Sequence, residues 1–207
     1  MRVRNLHRKG WSANCYLVSE GQDAVVIDPS IPVREITDAL GEDGLCLHAI
    51  LLTHGHFDHM LSLDDLRDAI PAKAYLHRGD SDFPQDAAKS CYLSMLGRDI
   101  RHRPAEVLLD GGEVLSFGAL RFTVLHTPGH TGGCVCYRAG DALFTGDTLF
   151  ADGFGRTDLP GGDWSTLCDA LGQLAAMRDE PLTIYPGHGE HAVLADAIDR
   201  IQPYIKF

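Results

Sequence analysis

The chain has 207 residues, of which 44% are hydrophobic and 23% charged, a balance that supplies a continuous apolar core and excludes a disordered or low-complexity protein. Its formal net charge is −11, which repels a phosphate backbone and predicts no nucleic-acid partner. No window approaches the roughly 20 apolar residues that span a bilayer, and the amino terminus MRVRNLHRKGWSANCYLV lacks a signal-peptide core, so a cytoplasmic protein without membrane association is expected.

Taken in chain order, a plan repeats: a short apolar run, a tight turn rich in Gly or Pro, then a histidine or an aspartate. VVIDPS places Asp28 after an apolar strand, where it reads equally as a turn aspartate before Pro29 and as a residue steadying a neighbouring loop. VREITDAL (33 to 40) has helical period. AILL (49 to 52) then leads into THGHFDH, and LDDLRDAI (63 to 70) is a second short helix. Residues 71 to 110 contain Pro71, Pro84 and Pro104 and are expected to hold a helix within irregular connections that rim a site. His77 and His102 in that stretch read as surface histidines, because neither follows the strand-turn plan.

FTVL (122 to 125) leads into HTPGH, ALF (142 to 144) into TGD, and LTIY (182 to 185) into PGHG. Between them, Trp164, Leu167, Cys168, Leu171, Leu174 and Ala175 share one helix face behind Asp163 as N-cap. A last helix carries Leu194, Ala197, Ile198 and Ile201 and closes at Pro203. Two β-rich halves, strands first and helices after, suggest two packed sheets covered on both faces, with the ligand-bearing loops at one edge and residues 1–207 as one domain. The six cysteines, Cys15, Cys46, Cys91, Cys134, Cys136 and Cys168, are expected to be reduced and buried in a chain long enough to need no cross-links.

The densest chemistry lies in Thr53-His54-Gly55-His56-Phe57-Asp58-His59. Imidazole binds borderline cations through a neutral nitrogen, so a site needs several rings converging from a rigid turn. Three histidines and an aspartate within six residues are hard to explain as packing, since each buried polar ring needs a partner. Gly55 is expected to let the backbone bend where a side chain would crowd the metal. His130 in TPGHTGG and His188 in YPGHGE repeat the turn, and Asp147 in FTGDTLF places a carboxylate in apolar company. Its two oxygens suit a bridge between two ions about 3.5–4 Å apart. Such a pair acidifies a shared water and polarises a carbonyl or phosphoryl oxygen, so hydrolysis is the expected chemistry.

The ordered set THGHFDH, TPGHTGG, TGDTLF and PGHG resembles the metallo-β-lactamase superfamily over nearly the whole chain. The resemblance implies a four-layer αβ/βα sandwich of two mixed β-sheets flanked by helices. It implies that His54, His56 and His130 hold one divalent ion, that Asp58, His59 and His188 hold a second, and that Asp147 bridges them. Zinc is the expected metal, with iron or manganese as alternatives. Asp58 would also orient the nucleophile.

Within the superfamily, ANCYLV, VVIDPS and GFGRTDLPGGD resemble the short glyoxalase II-like hydrolases, which implies cleavage of S-acyl-glutathione thioesters such as S-lactoylglutathione. A thiolate of pKa about 8.5 leaves without a strong general acid. The chain departs from full-length glyoxalase II. It ends 19 residues after His188, so no separate carboxy-terminal substrate domain is expected. The usual glutathione-contacting segment is replaced by Phe154 to Asp158, where Arg156 either meets an anionic substrate group or pairs with Asp158 or Asp163. Persulfide dioxygenases share the motifs and imply an alternative, a single iron on His54, His130 and Asp147. A metal-binding protein without turnover is the remaining alternative. A β-lactamase is less expected without an export signal, and superfamily nucleases carry an inserted domain for which the length leaves no room.

Overall fold

The computed structural model describes residues 1–6 and 11–205. Strands Arg2–Asn5 (β1), Tyr16–Glu20 (β2), Asp23–Ile27 (β3), Cys46–Leu51 (β4), Lys73–His77 (β5) and Val107–Leu109 (β6) form a six-stranded sheet in that order. Val114–Phe117 (β7), Leu120–His126 (β8), Val135–Ala139 (β9), Ala142–Gly146 (β10), Thr183–Pro186 (β11) and Ala192–Val193 (β12) form a second, also in chain order. Both sheets are mixed: β3 to β6 run parallel, as do β10 and β11, and the remaining pairs are antiparallel.

Side chains that alternate along the strands divide the core into three apolar layers. Tyr16, Val18, Val25, Ile27, Ala49 and Leu51 face Phe122, Val124, Val135, Tyr137 and Phe144 between the sheets. Their neighbours Leu17, Ala24, Val26 and Ile50 point the other way. There they meet the buried Ile36, Ala39 and Leu40 of helix Val33–Glu42 (α1) and Leu63 and Leu66 of helix Leu63–Ala69 (α2). Behind the second sheet, Cys136, Leu143 and Ile184 pack against Leu167, Leu171 and Leu174 of helix Trp164–Ala175 (α4) and against Leu194, Ala197, Ile198 and Ile201 of helix Leu194–Ile201 (α5). The result is the expected helix-sheet-sheet-helix stack, and Asp163 caps α4 by accepting from the Thr166 amide at 2.7 Å.

The middle of the chain is more regular than its prolines suggest. Residues 71 to 110 contain not only a short helix, Tyr92–Leu96 (α3), but also β5 and β6. The first half therefore interleaves strands and helices rather than placing helices last. Parallel pairing of β3 with β4 and of β4 with β5 requires a crossover each time, and α1 and α2 supply them. All six cysteines are free, but only Cys15, Cys91, Cys134 and Cys136 are buried; Cys46 is exposed and Cys168 half-buried. Cys46 opens β4 at its exposed end, and Cys168 sits at the edge of the α4 stripe, packed against the core but not enclosed by it. Among the described residues no helix is long and apolar enough to cross a membrane.

Leu171 is fully buried between α4 and the second sheet. Leu171→Ala is expected to cost about 2–5 kcal/mol, read as a lower urea midpoint at an unchanged denaturant slope.

Candidate metal centre

Four strands deliver the site. β4 runs into Thr53 and His54, a short 3-10 turn at Phe57–His59 presents Asp58 and His59, and β8, β10 and β11 precede His130, Asp147 and His188. The loops are fastened across the gap between the sheets. Val135 donates its amide to the Thr53 carbonyl at 2.9 Å, and the Tyr137 hydroxyl donates to the Leu52 carbonyl at 2.8 Å. Glycine at position 187 is a steric requirement, since a Cβ there would collide with Asp147 Oδ1. Gly55 is required for a different reason from the one expected: a Cβ would strike the Phe83 side chain, not a ligand.

The structure brings all seven motif side chains together. His54, His56 and His130 each offer one ligand atom within 4.8 Å of the others, as do His54, His59 and Asp147, and Asp58, His59 and His188. Asp147 lies at the middle. Its Oδ1 is 3.2 Å from His59 Nε2, and its Oδ2 is 3.6 Å from both His130 Nε2 and His188 Nε2. His188 Nε2 is also 3.2 Å from Asp58 Oδ2.

The donor set fits a cation. His54 Nε2, His56 Nε2, His59 Nε2 and Asp147 Oδ1 are buried without a hydrogen-bond partner, and each such orphan costs roughly 1–3 kcal/mol. His56 Nδ1 and His130 Nε2 stand 2.8 Å apart, an approach of two nitrogens that requires a proton or a cation between them. The opposite ring nitrogens are occupied. His59 Nδ1 bonds Asp28 Oδ2 at 2.8 Å, His54 Nδ1 lies 3.2 Å from Thr53 Oγ1, and His130 Nδ1 donates to the Arg156 carbonyl at 2.6 Å. Engaging Nδ1 turns Nε2 of these rings inward.

Burial and neighbouring charge set the protonation of the cluster. Burial, with the surrounding imidazoles, holds His54 well below its ordinary value. It takes His56 down to about 3, assisted by His130. Burial opposes the charge on His59 too, but Asp147 and Asp28 outweigh it and hold that ring well above its ordinary value. For Asp147, burial is likewise outweighed by His59 and the other rings, and the carboxyl stays far below the usual range.

Asp28 resolves in favour of loop support. It sits at φ 52°, accepts from the Thr53 amide at 2.8 Å and the Thr53 hydroxyl at 2.7 Å, and holds His59. Two further side chains support the loops, Asp80 without any motif signal and Asn14 from within the ANCYLV phrase. Asp80 accepts from the Gly55 amide, the Gly133 amide and the Thr131 hydroxyl. Asn14 donates to the Pro186 and Gly189 carbonyls, on both sides of His188. His77 and His102 are buried rather than on the surface, and neither joins the cluster. His77 stacks on His126 at 3.9 Å and His102 bonds the Tyr92 hydroxyl at 2.7 Å, so each ring is held by local packing.

A cavity of about 450 Å³ opens over His56, Asp58, His130, Asp147 and His188. Arg156 lines it while donating to Asp158 at 2.5 and 2.6 Å, so the expected pair is with Asp158 and not with Asp163.

A family model described as the metallo-beta-lactamase superfamily matches residues 8–188. The probable metallo-hydrolase YqgX of Bacillus subtilis is 35% identical over 179 residues, covering 86% of this chain and 85% of that protein. Among solved structures, BLEG-1, described as a B3 metallo-beta-lactamase, superposes with a TM-score of 0.85 at 34% identity, covering 90% of this chain and 91% of that one. TTHA1623, solved in a di-iron-bound form, superposes with a TM-score of 0.78 at 35% identity over 89% and 91% of the two chains.

Asp28→Asn keeps the shape but removes the charge behind His59. Metal affinity, measured by chelator competition, is expected to fall about 10–100-fold; undiminished affinity would refute the supporting role.

Proposed function

The chain belongs to the metallo-beta-lactamase superfamily, and from that premise we propose that it is a binuclear metal-dependent hydrolase of thioesters, of the S-acyl-glutathione type that includes S-lactoylglutathione. The observation that carries the reading is the convergence of seven His and Asp side chains with unpartnered buried atoms turned inward. In it, His54, His56 and His130 hold one ion, Asp58, His59 and His188 the other, and Asp147 spans both. Zinc suits the nitrogen-rich donor set, and the di-iron neighbour keeps iron in the comparison. The metals, when bound, supply an acidified water and a Lewis acid for the scissile carbonyl.

The chain's own residues supply the rest. Asp58 lines the cavity and is held in its ionised form by His188 against the opposing effect of burial, so its free oxygen accepts a hydrogen bond from the attacking water and orients it. Oxygen adds to the scissile carbonyl, the C–S bond then breaks, and the products leave as a carboxylic acid and a thiolate, the water's other proton passing by way of Asp58 to solvent. Arg156 at the cavity wall presents a guanidinium to a substrate carboxylate, exchanging an exposed pair with Asp158 that contributes little. The substrate is a small molecule handled by one domain in the cytoplasm.

The motifs THGHFDH, TPGHTGG and TGDTLF, which persulfide dioxygenases share, support a second reading, a mononuclear iron persulfide dioxygenase on His54, His130 and Asp147. Metal analysis with turnover separates the two. Two ions per chain with thioester cleavage is the expected result, and His54→Ala and Asp147→Ala are each expected to lose metal and to lose more kcat/KM than the roughly 100-fold typical of an outer support. One iron with oxygen uptake on glutathione persulfide would establish the second reading, and turnover of a β-lactam but of no thioester would overturn the substrate assignment.

A further inference from the structure

The walls of the cavity differ in character from its floor. Above the histidines and aspartates stand Trp11, Phe57, Met95, Phe150, Phe154 and Leu159. Trp11 stacks on Phe57 with ring centroids 5.5 Å apart and planes 23° apart, yet remains 59% exposed, and Met95 is 57% exposed. Large apolar side chains held in water at the mouth of a cavity do nothing for the fold. Among the described residues lining the cavity, Arg156 is the one Lys or Arg, in an exposed pair with Asp158.

We infer that the site selects its substrate by apolar bulk next to the scissile carbonyl, taking medium-chain or aromatic acyl thioesters in preference to small hydroxyacyl ones, with Trp11 and Met95 as the specificity-determining contacts. The inference rests on the thioester reading above for the bond that is cut. Selection itself is a property of the walls. α3 carries Leu93, Met95 and Leu96, all exposed, and Met95 reaches the cavity, so the helix extends the apolar surface outward from the reacting centre. A flexible thioether and a stacked indole lining the same cavity accommodate acyl groups of varied shape.

Binding and turnover are tested separately. Calorimetry with uncleavable thioethers of N-acetylcysteamine, S-methyl, S-butyl and S-octyl, is expected to show affinity rising about fourfold per buried methylene. Trp11→Ala and Met95→Ala should each flatten that rise, and in a Trp164→Phe background the Trp11 emission should respond to S-octyl and not to S-methyl. In turnover, octanoyl- and phenylacetyl-N-acetylcysteamine should exceed the acetyl thioester and S-lactoylglutathione by at least about tenfold in kcat/KM. Chain-length-dependent binding without cleavage of any thioester would leave this selection standing and overturn the hydrolase reading. Cleavage with no dependence on acyl size, or tighter binding of S-methylglutathione than of the S-octyl ligand, would overturn the selection and leave the hydrolase reading intact.

Discussion

A carboxylate as enclosed as that of Asp147 stays ionised only where positive charge or strong donors converge on it. Here three imidazoles face it, with His59 on one oxygen and His130 and His188 on the other. These rings arrive from different strands of two different sheets, so the carboxylate is the point at which the halves of the molecule meet. Their backing groups follow from the same demand. Asp28 fixes His59, the Arg156 carbonyl fixes His130, and Asn14 secures the turn around His188. Without those anchors, rings packed with centroids 4 to 6 Å apart would be free to rotate their lone pairs away from a common centre.

The two-sheet frame makes that convergence possible because strand ends are its most rigid edges. β4, β8, β10 and β11 stop at turns that begin with Thr or Pro and contain Gly, and the turns are tied to each other by backbone bonds such as Val135 to Thr53 and Gly187 to Gly146. Asp80 adds a brace of a different kind. Its carboxylate is buried between the loop bearing His54 and His56 and the loop bearing His130, accepting one amide from the first and an amide and a hydroxyl from the second. Burial still pushes its carboxyl above the ordinary value, and the three donors counter only part of that effect.

Much of this was legible in the sequence because the ligands follow apolar runs and lie beside Gly or Pro, signals that act locally. The last two helices were legible, since their apolar stripes have helical spacing and α4 has its capping aspartate, although Trp164 is exposed and Ala170 joins the buried face of α4. β5 and β6 were not, because KAYLH and VLL are short and lie between prolines, and their strand character comes from parallel neighbours distant in sequence. His77 and His102 escaped for the same reason: the aromatic partners that bury them, His126 and Tyr92, lie 49 and 10 residues away. Asp80 stands in an RGD tripeptide with nothing local to distinguish it from a surface acid. The character of the cavity walls was illegible altogether, since Trp11, Met95 and Phe150 come together only in three dimensions.

The contact between His130 and residue 156 uses a main-chain carbonyl, and every amino acid carries one. The loop from Phe154 to Asp158 can therefore exchange the side chain at 156 for another without taking away the acceptor on which the ring depends. One stretch of chain thus divides its labour between the backbone, which is answerable to the His130 ring, and the side chain, which is answerable to whatever enters the cavity. Such a division lets substrate preference drift among descendants of a common ancestor while the reacting centre stays as it was.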